Sequence, residues 1–101
     1  MKLKIVKRAE WDMDYRAAFW ERRREGLGRE YLLHLQEEFS RLLYLSESGK
    51  HSRPTGGFYR FLTKRFSTQV FYEIEGDEVI VEAVFDCRED PDEIAGELAK
   101  R

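Results

Sequence analysis

Single apolar residues alternate with cations at the N-terminus, where Leu3 and Ile5 stand between Lys2, Lys4 and Lys7. A period of two predicts a strand with one buried face, placed at a sheet edge. From Ala9 to Glu25 the period lengthens: Trp11, Tyr15, Ala18 and Phe19 recur at helical spacing, leaving Asp12, Asp14, Glu21 and the run Arg22, Arg23 and Arg24 for a solvated face. Acids early and arginines late also suit the helix dipole. Trp11 and Trp20 lie about 180° apart on such a helix. Trp11 is therefore expected in the core beside Tyr15 and Phe19, and Trp20 on a surface open to a partner.

Gly26 and Gly28 bracket Leu27, as a left-handed C-terminal cap on the first helix followed by a tight reversal requires. A second helix over Arg29 to Leu45 then carries Tyr31, Leu32, Leu35, Phe39, Leu42 and Leu43 on one side. Ser46 to Gly57, with Gly49, Pro54 and Gly56, reads as an exposed loop. Three segments rich in β-branched and aromatic residues follow, Phe58 to Thr63, Phe66 to Ile74 and Glu78 to Phe85, the last two joined by a turn at Gly76-Asp77. The third has apolar residues on both faces and is expected mid-sheet. Asp90-Pro91-Asp92-Glu93, with Ile94 and Leu98 one turn apart, opens a short terminal helix. The order β-α-α-β-β-β with a helical tail predicts an α+β fold, a helical hairpin on a twisted, mainly antiparallel four-stranded sheet.

The 101 residues are 42% hydrophobic, enough for one core and one domain, 1–101. Eighteen Lys and Arg against twenty Asp and Glu leave a net charge of −2, so any nucleic-acid contact must be local. Cys87 is alone, and His34 and His51 lack ligand neighbours at metal spacing, so neither a disulfide nor a metal site is expected. No cofactor motif occurs. With no apolar run of membrane-spanning length and no signal-like N-terminus, the expected location is the cytoplasm.

Four strings accompany this order: Ala9-x-x-Asp12 opening the first helix, Gly26-Leu27-Gly28 before the second, Phe66 through Tyr72 in the middle strand, and Arg88-Glu89-Asp90-Pro91 after the last. Together they resemble the RelE/ParE toxin superfamily, to which plasmid stabilisation proteins belong, over nearly the whole chain. The resemblance implies the toxin of a bacterial type II toxin-antitoxin system, neutralised by a cognate antitoxin and held as a dimer or a toxin-antitoxin hetero-oligomer. It also implies one of two targets, messenger RNA cleaved on the ribosome or DNA gyrase inhibited without cleavage, with a member that has lost toxicity and serves as an interaction module as the further alternative. Two departures favour the second: Gln69 stands where RNA-cleaving members often carry an arginine, and Asp86-Cys87 precedes Arg88 with no aromatic after Phe85.

RNA cleavage through 2′-hydroxyl attack needs a base, cations for the phosphate and a proton donor for the leaving oxygen. Arg60, Lys64, Arg65 and Arg88, on or beside the C-terminal strands, are the expected phosphate or target contacts. Ordinary edge and turn charge, which keeps a sheet edge soluble, is the slightly simpler explanation of them. No base is assigned: Glu73 and Glu82 are mid-strand carboxylates, Tyr59 and Tyr72 suit the sheet surface, His51 reads as a solvated loop residue and Cys87 as an incidental thiol. The arginine run ending the first helix reads as a solvated face, and Trp20 remains the expected partner contact.

Overall fold

The computed structural model describes residues 1–51 and 57–101. Along the chain come β1 (Lys2–Ile5), α1 (Lys7–Arg23), α2 (Leu27–Glu47), β2 (Tyr59–Leu62), β3 (Thr68–Glu75), β4 (Glu78–Asp86) and α3 (Pro91–Ala99). The sheet order is β1-β4-β3-β2, with β1 parallel to β4 and the other pairs antiparallel. β1 is thus an edge strand and β4 a central one, as their residue patterns predict. Val79, Val81 and Val84 of β4 join the core beneath α1 and α2, while Ala83 and Phe85 face Ile94 and Leu98 of α3 across the other side. No described helix is long and apolar enough to cross a membrane.

The helical hairpin turns where the glycines stand, each for a different reason. Gly26 has φ +86° in the left-handed region, where a Cβ is costly, but it stands as the N-cap of α2, and the C-terminal cap of α1 is the extended Arg24. Gly28 is already helical, and a Cβ there would lie 2.6 Å from the Ala17 carbonyl oxygen, so its need is a close crossing with α1. The Glu21 carboxylate accepts the N–H groups of both glycines at 3.0 Å, satisfying the open end of α2. These bonds hold its carboxyl below the usual range.

Three further expectations about the elements need correction. α1 turns a different stripe inward: Ala9 is fully buried and Met13, Ala17 and Trp20 pack against the core, whereas Trp11 is 62% and Tyr15 67% exposed. Helical spacing fixes a stripe but not which of two apolar stripes is inside, and the small Ala9 and Ala17 allow the closer approach. The second correction lies at the ends of elements. α2 runs from Leu27 through Glu47, so Ser46 and Glu47 are helical; Pro54 and Gly56 of the expected loop lie outside the described residues. Finally, Phe66 and Ser67 do not begin β3 but form a turn with φ +64° and +44°.

β1 spans four residues and β4 nine, so much of one β4 edge has no strand beside it. The last backbone bond across that edge is from Val6 N–H to the Val81 carbonyl at 3.1 Å. Side chains take over from there, as an otherwise bare edge requires. Arg101 Nη1 donates to the Glu82 carbonyl at 2.7 Å, Asp12 accepts the Val84 N–H at 3.0 Å, and Glu89 accepts the Asp86 N–H at 3.1 Å. Asp12 and Arg101 form a two-bond pair at 2.9 and 3.1 Å, and Arg16 pairs with Glu89. Between these pairs, Arg16 and Arg101 stack over the Phe85 ring at 5.5 and 5.3 Å.

Candidate functional site

At one end of the sheet the β2–β3 turn and the segment after β4 run side by side, joined by the Cys87 N–H donating to the Ser67 carbonyl at 2.7 Å. The positive-φ turn brings the Phe66 ring edge-on to Trp20 at 5.2 Å and to Tyr31 at 5.4 Å. Trp20 in turn meets Phe19 at 5.2 Å, so α1, α2 and the turn contribute one aromatic ladder.

Three guanidinium groups lie over this ladder. Arg23 stands 4.6 Å from the Phe19 ring centre, Arg88 stands 5.6 Å from Trp20, and Arg65 stands 4.8 Å from Phe66. Arg88 is fixed by two bonds to Asp86, at 2.9 and 2.6 Å. That pairing holds the Asp86 carboxyl below its ordinary range and raises the Arg88 guanidinium above its own. Arg65 is mostly exposed and reaches Glu30 at 3.9 Å. Lys64 occupies the same turn, exposed. The fold therefore gathers Arg65 and Arg88, adds Arg23, and keeps Lys64 alongside.

Arg60 belongs to the opposite face. Its Nε donates to Gln69 Oε1 at 2.8 Å, and Gln69, only 5% exposed, donates from Nε2 to the Asp86 carbonyl at 3.4 Å. The two line a groove of about 420 Å³ between the sheet and α3, with Phe71, Cys87, Ile94 and Leu98. The four expected cations share one end of the sheet but are split between its two sides. Burial pushes the Cys87 thiol up, against the opposing pull of Arg60 and Arg88, so the group is a thiol and not a ready nucleophile. Glu82 is also pushed up, first by burial and then by Glu73 beside it.

Trp20 is partly buried and packs against the core, so it offers a platform for arginines in place of the open anchor expected from the sequence. The arginine run of α1 also departs from a plain solvated face, since Arg23 joins the site. Nothing in helical periodicity could place Arg23 beside Arg65 and Arg88, because that meeting depends on the turn at Phe66. His51 is half-buried rather than solvated, its Nδ1 3.3 Å from the Tyr72 hydroxyl and its ring 4.9 Å from Tyr59.

A helical hairpin packed on a four-stranded sheet, with a parallel edge strand and a meander of three antiparallel strands, is an α+β fold. The solved structure of the chromosomal ParDE TA system from P. aeruginosa contains a chain with this fold. It is 17% identical, superposes with a TM-score of 0.64, and the match covers 85% of this chain and 95% of that one. No protein-family model matches the sequence. No curated protein matches it either.

Proposed function

We propose that this chain is the toxin of a toxin-antitoxin pair, acting in the cytoplasm as one domain by binding a macromolecular target and neutralised by a partner antitoxin. The observation that carries the reading is the superposition on a chain of the ParDE system over 85% of the length. Target contact is assigned to the arginine-covered ladder, where Arg23, Arg65 and Arg88, with Lys64 beside them, present positive charge above Phe19, Trp20 and Phe66. A local cationic patch on a chain of net charge −2 suits an acidic target surface.

Inhibition without RNA cleavage is the favoured activity. Gln69, in the position of an arginine of RNA-cleaving relatives, is buried and bonded at both ends of its amide, and Cys87 is held as a thiol. Purified protein added to a translating extract should leave messenger RNA intact while cells expressing it stop dividing. Codon-dependent cuts in that extract would overturn this choice.

A ribosome-dependent endoribonuclease is the second reading, favoured by one feature. Arg60 is opposite Phe71, and Glu73 follows two positions along β3 on the same face, so a cation and a carboxylate share the groove side of the sheet. Under that reading Arg60→Gln should lower cleavage by about 100-fold, the scale for losing one charge-stabilising donor.

A further inference from the structure

The groove between the sheet and α3 encloses about 420 Å³, a volume that suits a small ligand. It exists because α3 turns alanines toward it. Ala95 and Ala99, one helical turn apart and exposed, line the groove where larger side chains would close it. Phe71, Ile94 and Leu98 complete an apolar wall from both sides. The polar groups come from the strands: Arg60 of β2, Gln69 of β3 and Cys87 just after β4. Arg60 Nε donates to Gln69 Oε1 at 2.8 Å, and Gln69 Nε2 donates to the Asp86 carbonyl at 3.4 Å. The guanidinium is thus aimed by a chain of bonds that ends on the backbone.

Charge identifies the ligand. Arg60 and Glu89 are the charged residues that line the groove. Glu89 is engaged elsewhere, accepting the Asp86 N–H at 3.1 Å and pairing with Arg16. Asp86 and Arg88, on either side of Cys87, are bonded to each other at 2.9 and 2.6 Å. The raised Cys87 thiol is a weak S–H donor and not a second anion. Glu73, beyond Phe71 on the same face of β3, lies beside Glu82 and does not line the groove. One aimed cation beside an apolar space suits one carboxylate on an apolar body, whereas a phosphate chain is gripped by several cations in a row.

We propose that the groove between the sheet and α3 binds a small monocarboxylate with an apolar body, its carboxylate on the Arg60 guanidinium and its body against Phe71 and the alanine side of α3. The Nη edge of a guanidinium takes both oxygens of a carboxylate while an Nε bond stays in place, so Gln69 orients Arg60 and does not displace the ligand. The site lies on the other side of the sheet from the arginine-covered ladder. It is therefore independent of the target contact assigned there and of the toxin-antitoxin reading.

Cys87 is the only cysteine of the chain and is exposed, so its protection from iodoacetamide reports on the groove directly. Each result is read as the ratio of labelling rates without and with ligand in the same protein, which cancels any change in the thiol itself. The probe is hydrocinnamate, with hydrocinnamyl alcohol as its uncharged counterpart and acetate as a carboxylate without the body. Hydrocinnamate should give half-maximal protection at about 1 mM, and the alcohol and acetate should each need about tenfold more. Arg60→Gln should bring the acid to the level of the alcohol, and Ala95→Leu, which fills the groove, should abolish protection by both. Both positions are exposed, so unchanged thermal midpoints are expected and separate binding from folding. The proposal is overturned if the parent is protected equally by acid and alcohol, or as well by acetate as by hydrocinnamate. Protection that survives Ala95→Leu, or none at about 30 mM hydrocinnamate, overturns it too. A short oligoribonucleotide that protects at lower concentrations than hydrocinnamate would assign the groove to RNA and overturn it likewise.

Discussion

Gly28 lets two helices touch, and the absence of a Cβ is the whole of its contribution. A methyl group there would meet the Ala17 carbonyl oxygen at 2.6 Å, a backbone atom that cannot swing away. Gly28→Ala is expected to destabilise by about 1–3 kcal/mol, the usual cost of overpacking, read as a lowered urea midpoint at unchanged slope. A midpoint equal to the parent's would remove the close crossing. Gly26 differs, with open space around it but φ +86°, so Gly26→Ala should cost about 1 kcal/mol through backbone strain alone. Both glycines are visible in the sequence, but only the left-handed backbone at Gly26 was legible there, and as an end of α1 instead of the start of α2; a close approach depends on which residue of α1 lies opposite.

Tyr31 offers a second test at this scale. It is fully buried in the core, and burial pushes its phenol from 10.0 up to about 12. Because the folded pKa is raised, its stabilising contribution is complete below pH 10 and is lost as pH climbs through about 12. Relative to Tyr31→Phe, the parent should therefore lose up to about 2–3 kcal/mol across that window. Denaturation curves at successive alkaline pH values check this, and parallel losses in the two proteins would contradict it.

Among the elements, β4 joins most of the fold, and its unpaired edge explains two of the sequence strings. Asp12 was expected on a solvated face of α1, yet it binds the Val84 N–H and the Arg101 guanidinium, whose side chain is only 4% exposed. Glu89 performs the corresponding task for the Asp86 N–H while pairing with Arg16. The strand and helix types followed from periodicity, and the α3 start from Asp90, whose side chain accepts the Asp92 N–H at 2.8 Å. The phase of α1 did not follow, because its two apolar stripes score alike until the sheet beneath is in place. Removing the carboxylate by Asp12→Ala leaves a buried guanidinium and an unpaired strand N–H, so a loss of about 3 kcal/mol or more is expected, with faster hydrogen exchange in α3. A change below about 0.5 kcal/mol would show that the pair does not hold the tail helix down.

For the whole molecule, the fold was largely legible in the sequence and the site only in part. Element order and the central position of β4 come from local patterns, each of which repeats over several residues. The meeting of Arg23, Arg65 and Arg88 comes from three distant segments and one positive-φ turn, and no local pattern encodes it. The same separation explains why Arg60, close in sequence to Lys64 and Arg65, ends on the other side of the sheet beside Gln69. If the arginine-covered ladder grips the target, Arg65→Glu/Arg88→Glu should lower toxicity about tenfold or more in the inducer needed for growth arrest. Toxicity and its relief are read most directly from colony survival after inducing this chain alone and together with the polypeptide of the adjacent reading frame. Arrest by the chain alone, relieved when the two are made together, is the expected result; growth unaffected by the chain, or arrest that the second polypeptide leaves untouched, would contradict it.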